Sequence, residues 1–106
     1  MLLEELNDAL LIRVEHVKLD AAQAASFRTE LSEAVAGHRR VVLDMSNVKY
    51  IDSSGLGALI GVLKTMESGG VLRLVHCTST VQKVIQLTRL DRVFPSYETL
   101  EAALAG

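Results

Sequence analysis

Near its middle the chain reads Arg40-Val41-Val42-Leu43-Asp44-Met45, a short run whose β-branched and aliphatic composition is typical of a strand buried on both faces. A Ser46-Asn47 turn follows it. From Ser54 onward, apolar residues recur at the three- and four-residue spacing of a helix until Ser68-Gly69-Gly70 interrupts the pattern. They are Leu56, Leu59, Ile60, Leu63 and Met66. This stretch therefore predicts a buried strand and a second, longer segment that forms a helix.

The segments before this stretch predict a hairpin and another helix. Ala9–Glu15 begins apolar and then alternates like a strand, and residues 2–6 can pair with it through a turn at Asn7-Asp8. Asp20 is suited to cap a helix that ends at Gly37, because its side chain can accept from free backbone N–H groups.

The segments after it predict two more strands and two more helices. Val71–Val75 has the pattern of a strand, and residues 79–82 have the capping-box form that opens a third helix. We expect a short strand at residues 92–94 and a closing helix capped by Ser96. The order β-β-α-β-α-β-α-β-α predicts an α/β fold, because parallel strands need helical crossovers. We expect a mainly parallel or mixed sheet of four or five strands with about four α-helices.

Length, charge and composition exclude several classes of protein. The 106 residues predict a single domain over residues 1–106. The net charge of -2, with both signs interspersed, disfavours direct nucleic-acid binding. No apolar run approaches the roughly 18 residues of a membrane span, and the single Cys77 cannot form an internal disulfide. We therefore expect a cytoplasmic monomer without membrane attachment, metal or cofactor.

The residues that carry chemistry are Tyr50-Ile51-Asp52-Ser53-Ser54-Gly55-Leu56-Gly57, which place two hydroxyls and a carboxylate at the start of the second helix. The free N–H groups and the positive dipole end there favour an anion, so a phosphate on Ser53 would be tolerated. Spacing alone leaves a second interpretation open, in which Ser53 or Asp52 merely caps the helix.

Two segments closely resemble the STAS-domain anti-sigma factor antagonists: residues 41–46 (Val-Val-Leu-Asp-Met-Ser) and 51–57 (Ile-Asp-Ser-Ser-Gly-Leu-Gly). The resemblance continues through residues 69–75 and 81–90 and is weaker before residue 40. It implies the STAS fold, and it implies that Ser53 is the phosphoacceptor of a partner kinase with the histidine-kinase-like ATPase fold, which is itself the anti-sigma factor.

What the resemblance implies is a switch between two binding states. The unphosphorylated chain would bind the kinase, the phosphorylated chain would not, and a serine phosphatase would restore binding. The implied kinase contact includes Asp20, Asp52, Ser54, Gly55 and Leu56, with Asp52 orienting the Ser53 hydroxyl. One departure concerns the segment before the first helix, where members often show G-x-L-D and this chain has Val17-Lys18-Leu19-Asp20.

Other functions fit the residues less well. A serine hydrolase would need His76 to activate Ser53 or Ser54, but the G-x-S-x-G pattern is missing. A phosphoacceptor aspartate at Asp44 would need an acidic pair and a strand-end lysine that we do not find, so we expect Asp44 to bond to the following turn. The histidines and Cys77 lack the spacing of a metal site. A STAS subunit that regulates a transporter or a signalling scaffold remains as an alternative.

Overall fold

The computed structural model describes residues 1–106. Its strands are β1 (Leu2–Glu5), β2 (Leu10–Arg13), β3 (Lys18–Leu19), β4 (Arg40–Asp44), β5 (Tyr50–Ile51), β6 (Val71–Val75) and β7 (Ser96–Tyr97). Its helices are α1 (Ala21–Val35), α2 (Ser53–Thr65), α3 (Ser79–Leu87) and α4 (Leu100–Ala105), and a 3-10 turn covers Leu90–Arg92. None of the four helices combines the length and the apolarity that a membrane crossing requires.

The main sheet has five strands in the order β1-β2-β4-β6-β7. β1 runs antiparallel to β2, as the predicted hairpin requires, and the other neighbours are parallel. The predicted α/β architecture, with a mainly parallel sheet and four helices, is confirmed. The central strand β4 is almost entirely buried, in agreement with its apolar composition.

Two apolar clusters of different size cover the faces of the sheet. The larger cluster joins Leu43 of β4 to buried residues of α1, α2 and α3, among them Phe27, Leu59 and Ile85. The smaller cluster joins Val42, on the opposite side of β4, to Ala103 of α4. Alternate residues of one strand therefore serve both clusters, because successive side chains of a strand point to opposite faces.

A second, two-stranded sheet was not predicted from the sequence. β3 and β5 pair in parallel, with Lys18 opposite Tyr50 and Leu19 opposite Ile51. Each strand directly precedes the residue that caps a helix, Asp20 for α1 and Asp52 for α2. The small sheet therefore brings the beginnings of these two helices together.

Three expectations for the last third of the chain are wrong. The third helix is capped by Thr78, whose hydroxyl accepts from the Val81 N–H at 3.3 Å, and not from within residues 79–82. Residues 92–94 are not a strand, because the chain follows a 3-10 turn there and then buries Phe94 in the core. Ser96 lies in β7, and Thr99 caps α4 instead.

Gly61 of α2 lies where the helix packs closely against another element. A Cβ atom there would lie 2.6 Å from the Cζ atom of Arg28, which belongs to α1. This glycine therefore faces the neighbouring helix.

Candidate functional site

The start of α2 is held by a side chain that accepts two backbone hydrogen bonds. The Oδ1 atom of Asp52 accepts from the N–H groups of Ser54 (2.8 Å) and Gly55 (3.2 Å). A carboxylate at this position satisfies donors that the helix leaves free and counters its positive dipole end. Of the two capping interpretations that the sequence left open, the structure selects Asp52.

Ser53 is the first residue of α2, and its side chain is exposed. Its hydroxyl forms no hydrogen bond within the chain, and the Oδ1 atom of Asp52 accepts from the N–H groups of the following two residues instead. The contact in which Asp52 orients the Ser53 hydroxyl is therefore absent from the isolated chain and stays a prediction for a complex. The hydroxyl of Ser53 is thus free to meet another molecule.

The two capping aspartates lie on the same face of the small sheet. Lys18 pairs with Tyr50, so Asp20 and Asp52 follow two residues later on the same side of their strands. The backbone N–H of Asp52 also donates to the carbonyl of Leu19 at 3.3 Å, which ties the two segments together. Asp20 and Asp52 therefore lie on neighbouring segments, at the beginnings of α1 and α2.

An open cleft of about 500 Å³ lies along this face. We call it the Asp20–Asp52 cleft. It is lined by Lys18, Asp20, Ala21, Ala22, Tyr50 and Asp52. Ser53 directly follows the last of these residues, so the free hydroxyl lies beside a cleft that contains two carboxylates and one ammonium group.

Gly55 allows α2 to approach β3. A Cβ atom on Gly55 would overlap the carbonyl oxygen of Leu19 and lie 2.9 Å from the Cγ1 atom of Ile51. Gly57, by contrast, is exposed, and a Cβ atom there would meet nothing within 4 Å. The absent side chain of Gly55 is therefore required inside the fold, whereas that of Gly57 is not.

The residues expected in the kinase contact divide by burial. Asp20, Asp52 and Ser54 are partly exposed, whereas Gly55 is buried and Leu56 is only 5% exposed. Leu56 packs in the larger apolar cluster and has little surface to offer a partner. Gly55 and Leu56 therefore stabilise the packing of α2 beneath the exposed residues of the site.

Tyr50 and Lys18 line the cleft, although no role was predicted for either side chain. Both lie on two-residue strands, and such strands are too short to show an alternating pattern. Each of these strands is followed directly by a capping aspartate, Asp20 after β3 and Asp52 after β5. This correspondence would have pointed to Lys18 and Tyr50, but it is recognisable only once the two strands are known to pair.

The geometry required by a serine hydrolase is missing. His76 is exposed after β6, with a left-handed backbone (φ 58°), and its ring is hydrogen-bonded to neither serine. A general base must lie within hydrogen-bond reach of the nucleophile, commonly about 2.6–3.2 Å. Burial raises the pKa of the nearby Cys77 thiol, which keeps it protonated and unreactive.

Asp44 bonds to the turn that follows it, as predicted. Its Oδ1 atom accepts from the N–H of Ser46 at 3.0 Å, and its Oδ2 atom lies 3.5 Å from the Nε atom of Arg13. The carboxylate is thus occupied by contacts within the chain. No group of three or more acidic, histidine or cysteine side chains is arranged to hold a metal ion.

Comparison with known proteins identifies the family to which this chain is similar. The STAS domain family model matches residues 1–103. A TM1081 homolog of Thermotoga neapolitana is 38% identical over 69 residues, which are 64% of this chain and 61% of that protein. The match thus spans less than two thirds of that relative's length. BtrV of Bordetella bronchiseptica is 33% identical over 101 residues, covering 93% of this chain and 87% of BtrV.

Solved structures show the same architecture. An anti-sigma factor antagonist from Mycobacterium paratuberculosis superposes with a TM-score of 0.85 at 27% identity, covering 98% of this chain and 89% of that one. The anti-sigma factor antagonist SpoIIAA in its unphosphorylated form superposes with a TM-score of 0.74 at 25% identity, covering 95% and 90%. The arrangement of sheet and helices is therefore shared with these proteins.

Proposed function

Since the chain belongs to the STAS domain family, as the match over residues 1–103 shows, we propose that it is an anti-sigma factor antagonist controlled by phosphorylation of Ser53. The unphosphorylated chain binds a serine-kinase anti-sigma factor of the histidine-kinase-like ATPase fold and releases the sigma factor. Phosphorylation abolishes this binding, and a serine phosphatase restores it. Two similar structures are described as anti-sigma factor antagonists, one of them as an unphosphorylated form, which supports the proposal.

The observation that carries the proposal is the exposed Ser53 hydroxyl, which has no partner within the chain and lies at the first position of α2. A kinase can reach such a group without unfolding any element. The rigid start of the helix presents the hydroxyl in one place, because Asp52 holds the N–H groups of Ser54 and Gly55.

The capping arrangement also explains why a phosphate would act as a switch. A phosphate adds about 1.5 to 2 negative charges at neutral pH. The N–H groups of Ser54 and Gly55 are already occupied by Asp52, so these two donors are not available to neutralise this charge. The new dianion would stand at the surface beside the carboxylates of Asp52 and Asp20. A partner that fits a neutral hydroxyl would have to desolvate or repel that charge, which costs binding energy.

The test uses a candidate serine kinase of the histidine-kinase-like ATPase fold. After incubation with ATP, peptide mass analysis should find phosphate on Ser53 in the wild type and in Ser54→Ala, and none in Ser53→Ala. Label that persists in Ser53→Ala and disappears from Ser54→Ala would move the phosphoacceptor by one residue.

A binding measurement tests the switch itself. With ADP present, so that no transfer occurs, Ser53→Ala should bind the kinase like the wild type by titration calorimetry, because it leaves the start of α2 without a new charge. Ser53→Asp should bind about a hundredfold more weakly, which corresponds to roughly 3 kcal/mol. If Ser53→Asp and phosphorylated wild type bind as tightly as the unphosphorylated chain, the switching proposal is wrong, and a regulatory subunit that does not depend on phosphorylation becomes the better interpretation.

A further inference from the structure

Tyr50 is a large aromatic side chain that remains 46% exposed next to the proposed phosphorylation site. It lies on β5, and its backbone N–H donates to the carbonyl of Val17 at 3.3 Å. The next residue, Ile51, is 2% exposed and packs in the larger apolar cluster. The backbone that carries the ring is therefore fixed on both sides, while the ring itself faces the Asp20–Asp52 cleft.

The register of the small sheet determines which groups share the face of Tyr50. Lys18 lies directly opposite Tyr50. The next residues on the same face, two positions further along each segment, are Asp20 and Asp52. The face therefore carries one aromatic ring, one ammonium group and two carboxylates, followed by the free hydroxyl of Ser53. The other two residues that line the cleft are Ala21 and Ala22, whose small side chains leave room for a partner.

We infer that Tyr50 and Lys18 extend the kinase-docking surface, with the Tyr50 ring as its hydrophobic anchor. The partner's surface then has an apolar recess for the ring, an acidic group facing Lys18 and a basic group facing Asp20 and Asp52. This inference rests on the proposed function, since the occupant is the same kinase that phosphorylates Ser53.

Two physical arguments support the anchor. Tyrosine is enriched among the side chains whose removal most weakens protein interfaces, because it supplies a large contact area from few rotatable bonds. A ring whose backbone is held by β5 pairing and by the buried Ile51 is ordered before binding, so little conformational entropy is lost when a partner covers it. Tyr50 also makes no side-chain hydrogen bond within the chain, which leaves its hydroxyl available at the edge of the contact.

The experiment compares variants in binding to the same kinase with ADP. Tyr50→Thr removes the ring and places a β-branched residue on the strand, where threonine, like tyrosine, is favoured, so folding is preserved. We expect its Kd to rise about tenfold or more, while Tyr50→Phe stays near the wild type. The matched control is Val93→Thr, because Val93 is similarly exposed (43%) but lies after the 3-10 turn, away from the cleft. Its Kd should not change.

Phosphorylation kinetics separate docking from positioning of the hydroxyl. For Tyr50→Thr the KM for this chain should rise with kcat nearly unchanged, and the phosphate should still appear on Ser53. Lys18→Glu should weaken binding more at low than at high salt, because screening reduces charge effects between exposed groups. Unchanged Kd and KM in Tyr50→Thr, together with normal labelling of Ser53, would overturn this inference and leave the proposed function intact. Absence of Ser53 labelling in the wild type would instead overturn the proposed function.

Discussion

Gly55 and Gly57 are two residues apart in α2, yet they have opposite consequences for stability. Addition of a methyl group at Gly55 forces it into the Leu19 carbonyl, whereas at Gly57 it extends into open space. We predict that Gly55→Ala lowers the free energy of unfolding by at least about 2 kcal/mol, because backbone cannot move aside as a flexible side chain can. Gly57→Ala, its control, should raise that free energy by up to ~1 kcal/mol, since alanine favours helix.

Urea denaturation of both variants measures these changes directly. Equal free energies of unfolding for the two variants would contradict the close packing of α2 on β3. The same measurement also concerns the site, because a displacement of the backbone at Gly55 would move Asp52 and the start of α2 with it.

Asp52 combines a structural role with a charge, and two substitutions separate them. Asp52→Ala removes the acceptor for Ser54 and Gly55 and should reduce stability by about 0.5–2 kcal/mol. Asp52→Asn keeps an acceptor oxygen and should retain most of that stability, because asparagine is also a good cap. Thermal unfolding of both variants checks the prediction, and an equal loss in both would mean that the charge stabilises the helix more than the hydrogen bonds do.

At the scale of elements, the longer segments could be predicted and the shortest could not. α1 and α2 repeat their apolar residues over 15 and 13 residues, so the helical period is visible in the sequence. β3 and β5 have two residues each, and only their pairing in space makes them strands. The helical period located the beginnings of α1 and α2, and the family resemblance then assigned roles to Asp20, Asp52 and Ser53. No role was predicted for the side chains of Tyr50 and Lys18.

The errors near the end of the chain have a similar cause. Val93 and Phe94 favour strands by type, but Arg89 adopts a left-handed backbone (φ 62°) that starts a 3-10 turn, and Phe94 then fills the core. Ser96 and Thr99 are both good caps by type. Only the position of β7, which pairs with β6, decides that Thr99 caps α4.

A contact between elements also makes stability depend on pH. The Nε2 atom of His38, before β4, lies 2.5 Å from the Oε1 atom of Glu5 at the end of β1. This hydrogen bond raises the pKa of His38 above its ordinary value of 6.5. Since the folded pKa is the higher one, the stabilisation is fully present below pH 6.5 and is lost as the pH rises through the folded pKa.

We therefore predict that the wild type loses more stability than Glu5→Gln between pH 6 and the raised pKa of His38, by a small amount because both side chains are partly exposed. Unfolding by urea at a series of pH values gives both curves. Parallel curves for the two proteins would show that the His38–Glu5 contact does not contribute to folding.

For the whole molecule, the question is whether a phosphate on Ser53 changes the fold or only the surface. α2 is anchored by buried residues such as Leu56 and Leu59, and the larger apolar cluster connects it with the sheet. Asp52 already accepts from the N–H groups of Ser54 and Gly55, so a surface dianion does not gain these two donors by moving the helix. Repulsion with desolvation at the docking face is sufficient to discriminate the two states.

We accordingly predict that amide chemical shifts of phosphorylated and unphosphorylated protein differ only near the start of α2 and along the Asp20–Asp52 cleft. Core amides such as those of Leu43 in β4 and Ile85 in α3 should keep their positions, since both side chains are buried in the larger apolar cluster, where the phosphate introduces no charge. The matched sample is Ser53→Asp, which carries less charge and should shift the same local amides by less. Widespread shifts in β4 or α3 would instead require a conformational mechanism, in which the phosphate acts by repacking the larger cluster.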